Sequence, residues 1–307
     1  MTGRGAPTLR QLLDGATNVL AEAGVPSPAV DARALAAFAL GLERLTPGLD
    51  PEPEAGFAAR FATLVERRRA REPLQRITGR TAFRHLDVPV ADDVFVSRPE
   101  TESVAEVAVV EASALRAAGQ DVVVVDLCCG SGVIAVSVAL EAPGARVLAV
   151  DASAAAVAAT RATALEAGVD VDVRAGDVTQ PGLLGELDAA VDVVVANPPY
   201  IPPDAVPHDP EVRDHDPDLA LYGGGVDGLE VPRAVIVVAA RLLRGGGLFV
   251  MEHAEVQSAA VRGALAASAL FDAIETRTDL TGRDRMVVAR RRGVSADRDP
   301  DVEHSPS

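Results

Sequence analysis

The sequence contains no tryptophan, and aromatic residues make up only 3% of it. Two cysteines are present, Cys128 and Cys129, and they are neighbours. Adjacent cysteines do not readily reach ordinary disulfide geometry, so a disulfide framework of the secreted type is excluded. Two thiols without further ligands at suitable spacing do not make a metal site, and none is expected. Basic charge is scarce: 29 Lys and Arg stand against 45 Asp and Glu, a formal net charge of -16. A chain that holds nucleic acid by itself usually carries a basic face that displaces counterions from phosphates. The acidic balance points instead to a protein or small-molecule substrate, with no direct nucleic-acid contact. Long apolar runs are missing too. The Ala- and Val-rich stretches are broken by Arg, Asp or Gly before they reach membrane-spanning length. Met1 to Arg10 shows neither an apolar run nor a cleavage-site pattern. The expectation is a soluble cytoplasmic monomer without membrane association.

What is present is core-forming material. Hydrophobic residues reach 48%, and 307 residues suffice for one large domain plus a small one. From Leu9 to about Arg71 apolar residues recur at helical spacing. Leu12, Leu13, Ala16, Val19 and Leu20 form one stripe, ended by Gly24 and Pro26. Asp31 to Leu42 forms a second, with Leu35, Phe38, Ala39 and Leu42 inward, and Phe57, Phe61, Leu64 and Val65 a third. Residues 1–72 are thus expected as a small helical domain, a lid or docking module. Residues 73–96 change character. Pro73, Gly79, Pro89 and the alternation of Phe83, Leu86, Val88 and Val90 predict a β-hairpin connector.

Residues 97–291 then alternate apolar strands with amphipathic helices. Strands are expected at Val122–Leu127, Arg146–Val150, Asp170–Arg174, Val191–Ala196 and Gly247–Glu252, closed by a pair at Ala273–Thr278 and Arg285–Arg290. Helices are expected at Val133–Leu140, Ala154–Ala167, Pro232–Leu243 and Ser258–Leu270. Such alternation specifies an α/β, Rossmann-like sheet with helices on both faces. Residues 292–307 are polar, charged and Pro-containing, and are expected to be a disordered tail.

Asp126-Leu127-Cys128-Cys129-Gly130-Ser131-Gly132 ends the first of these strands and opens a helix. Ligands of open α/β sheets bind at this edge, where glycines let backbone approach a ligand and a helix N-terminus favours a carboxylate. The full dinucleotide G-x-G-x-x-G pattern is missing, and Gly-rich turns of this kind occur even where nothing binds. Two further acids add weight. Asp151 ends the next strand, where a ribose-binding acid belongs, and Asp177 follows the third, placed to accept from an adenine amino group. Each taken alone reads equally well as a helix cap. Acids at three successive strand ends suit an adenosine-containing ligand without pyrophosphate, which favours S-adenosylmethionine over a nucleoside diphosphate.

Asn197-Pro198-Pro199-Tyr200 follows the fully apolar strand. Its prolines fix the backbone and remove two amide donors, leaving carbonyl acceptors. An amide or exocyclic amine is a poor nucleophile because its lone pair is delocalised. Acceptors on the Asn197 side chain and the Pro198 carbonyl would orient such an NH2 and raise electron density on nitrogen, with Tyr200 walling the pocket. The bland reading is a rigid turn with a packed tyrosine. Its position behind an apolar strand and after a cofactor loop counts against that.

With these residues in view, the chain resembles the release-factor protein-(glutamine-N5) methyltransferases of the HemK/PrmC type over roughly Leu9 to Arg291. Arg71-Glu72-Pro73-Leu74-Gln75 with Ile77-Thr78-Gly79 is similar to that family's connector. Val94 to Glu102 carries its Arg-Pro-Glu-Thr-Glu signature. Asn197 to Tyr200, Glu211-Val212, Leu219-Ala220-Leu221, Gly223-Gly224, Asp227-Gly228 and Asp279 to Arg283 with Arg285 follow in family order. The resemblance implies a class I S-adenosylmethionine-dependent methyltransferase domain. The loop Cys128 to Gly132, Asp151, Val178 and Asn197 would contact the cofactor. The Asn197-Pro198-Pro199-Tyr200 segment would hold the glutamine of a Gly-Gly-Gln loop. The implied partner is a class 1 peptide chain release factor, docked by the helical domain as well as the catalytic one. Three departures stand out: Cys128-Cys129 replaces a Gly-Thr or similar pair, Ser97 replaces a proline before Arg98, and Val178 stands where relatives often carry an aromatic residue. Two rival readings are an adenine-N6 methyltransferase of DNA or RNA, which faces the same chemical problem, and a non-catalytic cofactor-binding homologue.

Overall fold

The computed structural model describes residues 7–46 and 54–293, which fall into two compact units. The first comprises Met1–Ala82, Asp87–Val96 and Ala205–Pro217. Its helix α1 (Leu9–Glu22) starts at a capping box. The Thr8 hydroxyl accepts from the Gln11 backbone amide at 3.3 Å, and the Gln11 side-chain Oε1 accepts from the Thr8 backbone amide at 2.9 Å. Helices α2 (Pro28–Ala39) and α3 (Phe57–Arg69) pack on it around Leu13, Leu20, Leu35, Phe57 and Phe61. The two phenylalanine rings stack with centroids 5.5 Å apart.

The inward face of α2 differs from the expected one. Ala32, Leu35 and Ala36 are buried, whereas Phe38 and Leu42 are 45% and 43% exposed. The small alanines let α2 approach its neighbours closely, which turns Phe38 to the edge, and Leu42 lies beyond the helix end. The expected connector 73–96 also opens with a helical turn, α4 (Leu74–Thr78), before its hairpin of β1 (Arg80–Phe83) and β2 (Leu86–Pro89). One turn behind a proline is too short to show a helical period. Residues up to Ala82 and from Asp87 group with the first unit, and the tip Phe83–Leu86 with the second.

Residues 205–217 return to the first unit through buried charge. Helix α8 (Pro210–Arg213) presents Glu211, whose carboxylate lies 2.7 Å from Arg68 and 2.5 Å from Arg71. Arg68 also reaches Asp31 on α2 at 2.7 Å. Two guanidiniums hold the Glu211 carboxyl well below the usual carboxylate range against the opposing effect of burial.

The second unit comprises Phe83–Leu86, Ser97–Asp204 and Asp218–Ser307. It runs through α5 (Thr101–Ala117), β3 (Val123–Leu127), α6 (Val133–Glu141), β4 (Arg146–Asp151), α7 (Ala154–Ala167), β5 (Asp172–Ala175) and β6 (Val191–Ala196). Then come α9 (Asp218–Leu221), α10 (Glu230–Leu242), β7 (Leu243–Glu252), α11 (Ser258–Ala267), β8 (Phe271–Thr278) and β9 (Asp284–Arg291). Helix α5 is missing from the sequence-based reading. Its Ala/Val composition gives both faces similar hydropathy, although Val104, Ala105, Ala108, Val109 and Ala112 are buried at helical spacing.

The sheet order is β5-β4-β3-β6-β7-β9-β8, parallel except for β9, which runs antiparallel to both neighbours. One face carries Val125, Leu127, Val150, Val194, Ala196, Phe249 and Met251 into a core shared with α10 and α11. The alternate residues meet α5, α6 and α7 on the other face. Chain order reverses where β3 lies between β4 and β6, and the crevice at the carboxyl ends of these strands is where such folds bind ligands. The expected tail lies, beyond Gly293, outside the described residues.

Candidate active site

At the end of β3 the chain takes left-handed backbone three times in five residues: Cys128 at φ 61°, Gly130 at φ 56° and Gly132 at φ 79°. Gly132 is fixed by packing as well, since a Cβ there would fall 2.6 Å from Thr160 Cγ2 on α7. That helix holds the loop down through two hydroxyls. Thr160 donates to the Gly130 carbonyl at 2.9 Å and Thr163 to the Ser131 carbonyl at 2.8 Å. Ser97, the departure from proline, places its hydroxyl 3.1 Å from that of Ser131.

The three strand-end acids have separate tasks. Asp126 is fully buried beneath the loop and accepts from the Ala135 amide in the first turn of α6 at 3.0 Å. Its other oxygen has no partner among the described residues. Burial and the nearby Asp151 charge push its carboxyl up to about 8. Asp151 ends β4 and bridges two loops, accepting from Gly130 N at 2.9 Å and Ser153 N at 2.8 Å. Burial raises its carboxyl despite those amides. Asp177 accepts from the Thr179 amide and hydroxyl, each at 2.8 Å, and these bonds hold it below the usual range. Val178 turns its side chain into the core beside Leu184 and Leu187, so a ligand contact at this position falls to its main chain.

The surroundings of both cysteines disfavour the thiolate form that a nucleophile needs. Burial and the surrounding carboxylates push both thiols well above their ordinary value, and Cys129 lies 3.3 Å from the Thr160 hydroxyl. The residues fit S-adenosylmethionine on two counts. A Cβ at Gly130 would meet nothing within 4 Å, so bare backbone faces open space above the loop. The Asp151 charge raises Asp126, and Asp151, Asp126 and Asp177 together raise the Cys128 thiol, a negative environment that a sulfonium and an ammonium relieve.

Asn197 to Tyr200 leave β6 beside this loop and are clamped by a second one. Gly228, at φ 72°, sits where a Cβ would fall 2.3 Å from the Tyr200 carbonyl. Gln257 donates to that carbonyl at 2.8 Å and to the Asp227 carbonyl at 3.0 Å. The Asn197 amide nitrogen donates to Thr101 Oγ1 at 3.3 Å, and the Thr101 hydroxyl donates to Glu252 at 2.8 Å. The Tyr200 hydroxyl donates to the other Glu252 oxygen at 3.3 Å. Asn197 Oδ1 and the Pro198 carbonyl carry no partner among the described residues. These are the two acceptors that the chemistry of an NH2 substrate calls for.

Sequence reasoning missed Thr101, Thr160, Thr163, Glu252 and Gln257. Glu252 gave a usable signal, an acid ending an apolar strand, the same signal that marks Asp151. The threonines on α7 gave none, because a hydroxyl on an alanine-rich helix reads as surface.

The chain matches two family models, the PrmC N-terminal domain over residues 11–79 and the methyltransferase small domain over 108–208. It is 47% identical to the release factor glutamine methyltransferase of Mycolicibacterium smegmatis, over 92% of this chain and 98% of that one. It is 46% identical to the enzyme of the same name from Streptomyces coelicolor, over 90% and 95%. A 4-amino-L-phenylalanine/4-methylamino-L-phenylalanine methyltransferase of Streptomyces pristinaespiralis is 42% identical, over 83% and 86%.

Proposed function

The chain belongs to the release factor glutamine methyltransferase family, and we propose from this that it methylates the side-chain amide nitrogen (N5) of the glutamine in the Gly-Gly-Gln loop of class 1 release factors. S-adenosylmethionine is the cofactor and supplies, when bound, a methyl group made electrophilic by its sulfonium. The loop Cys128 to Gly132 with Asp126, Asp151, Asp177, Val178 and Asn197 would hold it.

The observation that carries the reading is the pair of open acceptors, Asn197 Oδ1 and the Pro198 carbonyl. Each takes one N–H of the substrate amide. Together they fix the amide plane and polarise the nitrogen, and Pro199 keeps the backbone from turning away. Tyr200, anchored on Glu252, forms the wall of the pocket. No strong base is needed, because alignment supplies most of the acceleration. To the helical unit, which carries none of these residues, we assign docking of the release factor.

We further propose that the protein acts as a monomer in the cytoplasm, where a substrate of the translation apparatus would be met. Among the described residues no helix is long and apolar enough to cross a membrane. The adenine-N6 reading is not favoured by the relatives from Mycolicibacterium smegmatis, Streptomyces coelicolor and Mycobacterium tuberculosis, whose names are those of release-factor enzymes.

The test is mass spectrometry of a release factor incubated with the protein and S-adenosylmethionine, beside Asn197→Ala and with 4-aminophenylalanine offered in parallel. A single methyl on the Gly-Gly-Gln glutamine is expected, reduced on the order of 10²–10³-fold in the variant, as when one transition-state hydrogen-bonding group is removed. A methyl on the aryl amine alone, or none with cofactor bound, overturns the reading.

A further inference from the structure

Asn197 serves the proposed reaction only if its oxygen, not its NH2, faces the substrate. The two ends of an amide have the same shape, so packing cannot choose between them. Hydrogen bonding can. Thr101 Oγ1 lies 2.8 Å from Glu252 Oε2 and 3.3 Å from the Asn197 amide. The hydroxyl has one proton, and an ionised carboxylate only accepts, so that proton goes to Glu252. Thr101 then offers Asn197 nothing but lone pairs. Asn197 must turn its NH2 to Thr101 and its oxygen to the pocket.

We infer that Glu252, acting through Thr101, is a positioning residue that fixes which end of the Asn197 amide faces the substrate. The inference rests on the proposed function for its consequence in catalysis, but the orientation itself is a property of the chain alone. Reversing the proton order reverses the amide. With a proton on Oε2, Glu252 donates to Thr101, whose own hydrogen then points at Asn197. Asn197 answers with its oxygen and shows its NH2 to the pocket, where it meets another NH2. The other seat for the proton, Oε1, faces the Tyr200 hydroxyl, whose hydrogen has no second acceptor among the described residues.

The groups facing Glu252 make this exchange accessible near neutrality. Thr101 and Glu100 face it from the start of α5, Tyr200 from the loop after β6, and Arg285 from β9. Arg285 is shared with Asp279 at 3.3 Å. Burial outweighs the two hydroxyls and Arg285, and Glu100 adds to it, so the carboxyl is pushed up to about 7. His253, next along the chain, is pushed below its ordinary value by burial.

Two readouts test the relay in the full-length protein. The first is the side-chain amide resonance of Asn197 in a 1H–15N correlation spectrum, assigned by its loss in Asn197→Ala and followed across pH without substrate. It should titrate near pH 7 in the wild type and stop titrating in Glu252→Gln. The second is kcat against pH. The wild type should lose rate as pH falls through about 7, and Glu252→Gln should lose that acid limb. Thr101→Val, which deletes the relay hydroxyl, should lower kcat about 10²-fold with the cofactor Kd changed far less, and Thr101→Ser should restore it. An Asn197 resonance that titrates identically in Glu252→Gln overturns the inference, as does a Thr101→Val enzyme with wild-type kcat. A wild-type protein that binds cofactor but never methylates the glutamine overturns the proposed function instead, and the spectrum still judges the relay.

Discussion

Glu211 in the helical unit and Glu252 in the catalytic unit are both buried glutamates, and their surroundings are opposite. Glu211 meets two guanidiniums, Arg68 and Arg71, and is held far below the usual carboxylate range. Glu252 meets two hydroxyls at hydrogen-bond distance and is pushed up to about 7. An acid neutralised by opposite charge is locked in one protonation state and can only hold elements together. An acid solvated by hydroxyls sits near the balance between two states and dictates where neighbouring protons point. Burial alone therefore does not separate a structural acid from a functional one. Its partners do.

Breaking the first cluster should have the largest effect on stability. Glu211→Gln keeps the shape but leaves Arg68 and Arg71 with one countercharge fewer, and truncating one partner of a buried charge network costs about 3–5 kcal/mol. Urea denaturation should show that loss, with kcat per folded molecule unchanged. A stable Glu211→Gln protein would mean that the guanidiniums find other partners.

The catalytic unit holds another raised acid in Asp126, pushed up to about 8 beneath the loop Cys128 to Gly132. Its folded value lies above its ordinary one, so the stability it contributes is full below pH about 4 and is lost as pH rises through about 8. Glu211 has the reverse sign, contributing above its ordinary value and losing that contribution as pH falls. Asp126→Asn keeps the acceptor for the Ala135 amide and removes the titration. Variant and wild type should match in acid, and the variant should gain on the wild type as pH rises from about 4 toward about 8. The difference between the two melting curves is the quantity to follow, since other carboxylates titrate in both proteins.

The same contrast explains what could be read in the sequence. Strands β3, β4 and β6, the loop between Asp126 and Gly132 and the Asn197 to Tyr200 turn are local, and their residue types announce them. Glu211 and Thr101 owe their positions to chain returning from far away: residues 205–217 rejoin the helical unit, and Thr101 opens a helix whose Ala/Val faces hide its period. Partners 140 or 151 residues apart, as in Arg71–Glu211 and Thr101–Glu252, leave no spacing to detect. The protonation state of an acid is legible only once such partners are known.

The smallest expected effect sharpens the comparison at the level of backbone. Each unit holds a non-glycine residue in left-handed conformation at a critical place, Arg71 at φ 68° and Cys128 at φ 61°. Arg71 uses its side chain there, reaching Glu211 and the Ala23 and Gly24 carbonyls. Cys128 makes no side-chain hydrogen bond among the described residues and only packs against the sheet core. A side chain in this conformation costs about 1–2 kcal/mol, and glycine returns part of that gain through the freer unfolded chain. Cys128→Gly should therefore stabilise by on the order of 0.5 kcal/mol, while Cys128→Ala, which keeps the Cβ and removes only the sulfur, should not. The pair separates backbone strain from packing: if both variants lose stability alike, the thiol's contact with the core outweighs the strain at its own Cα.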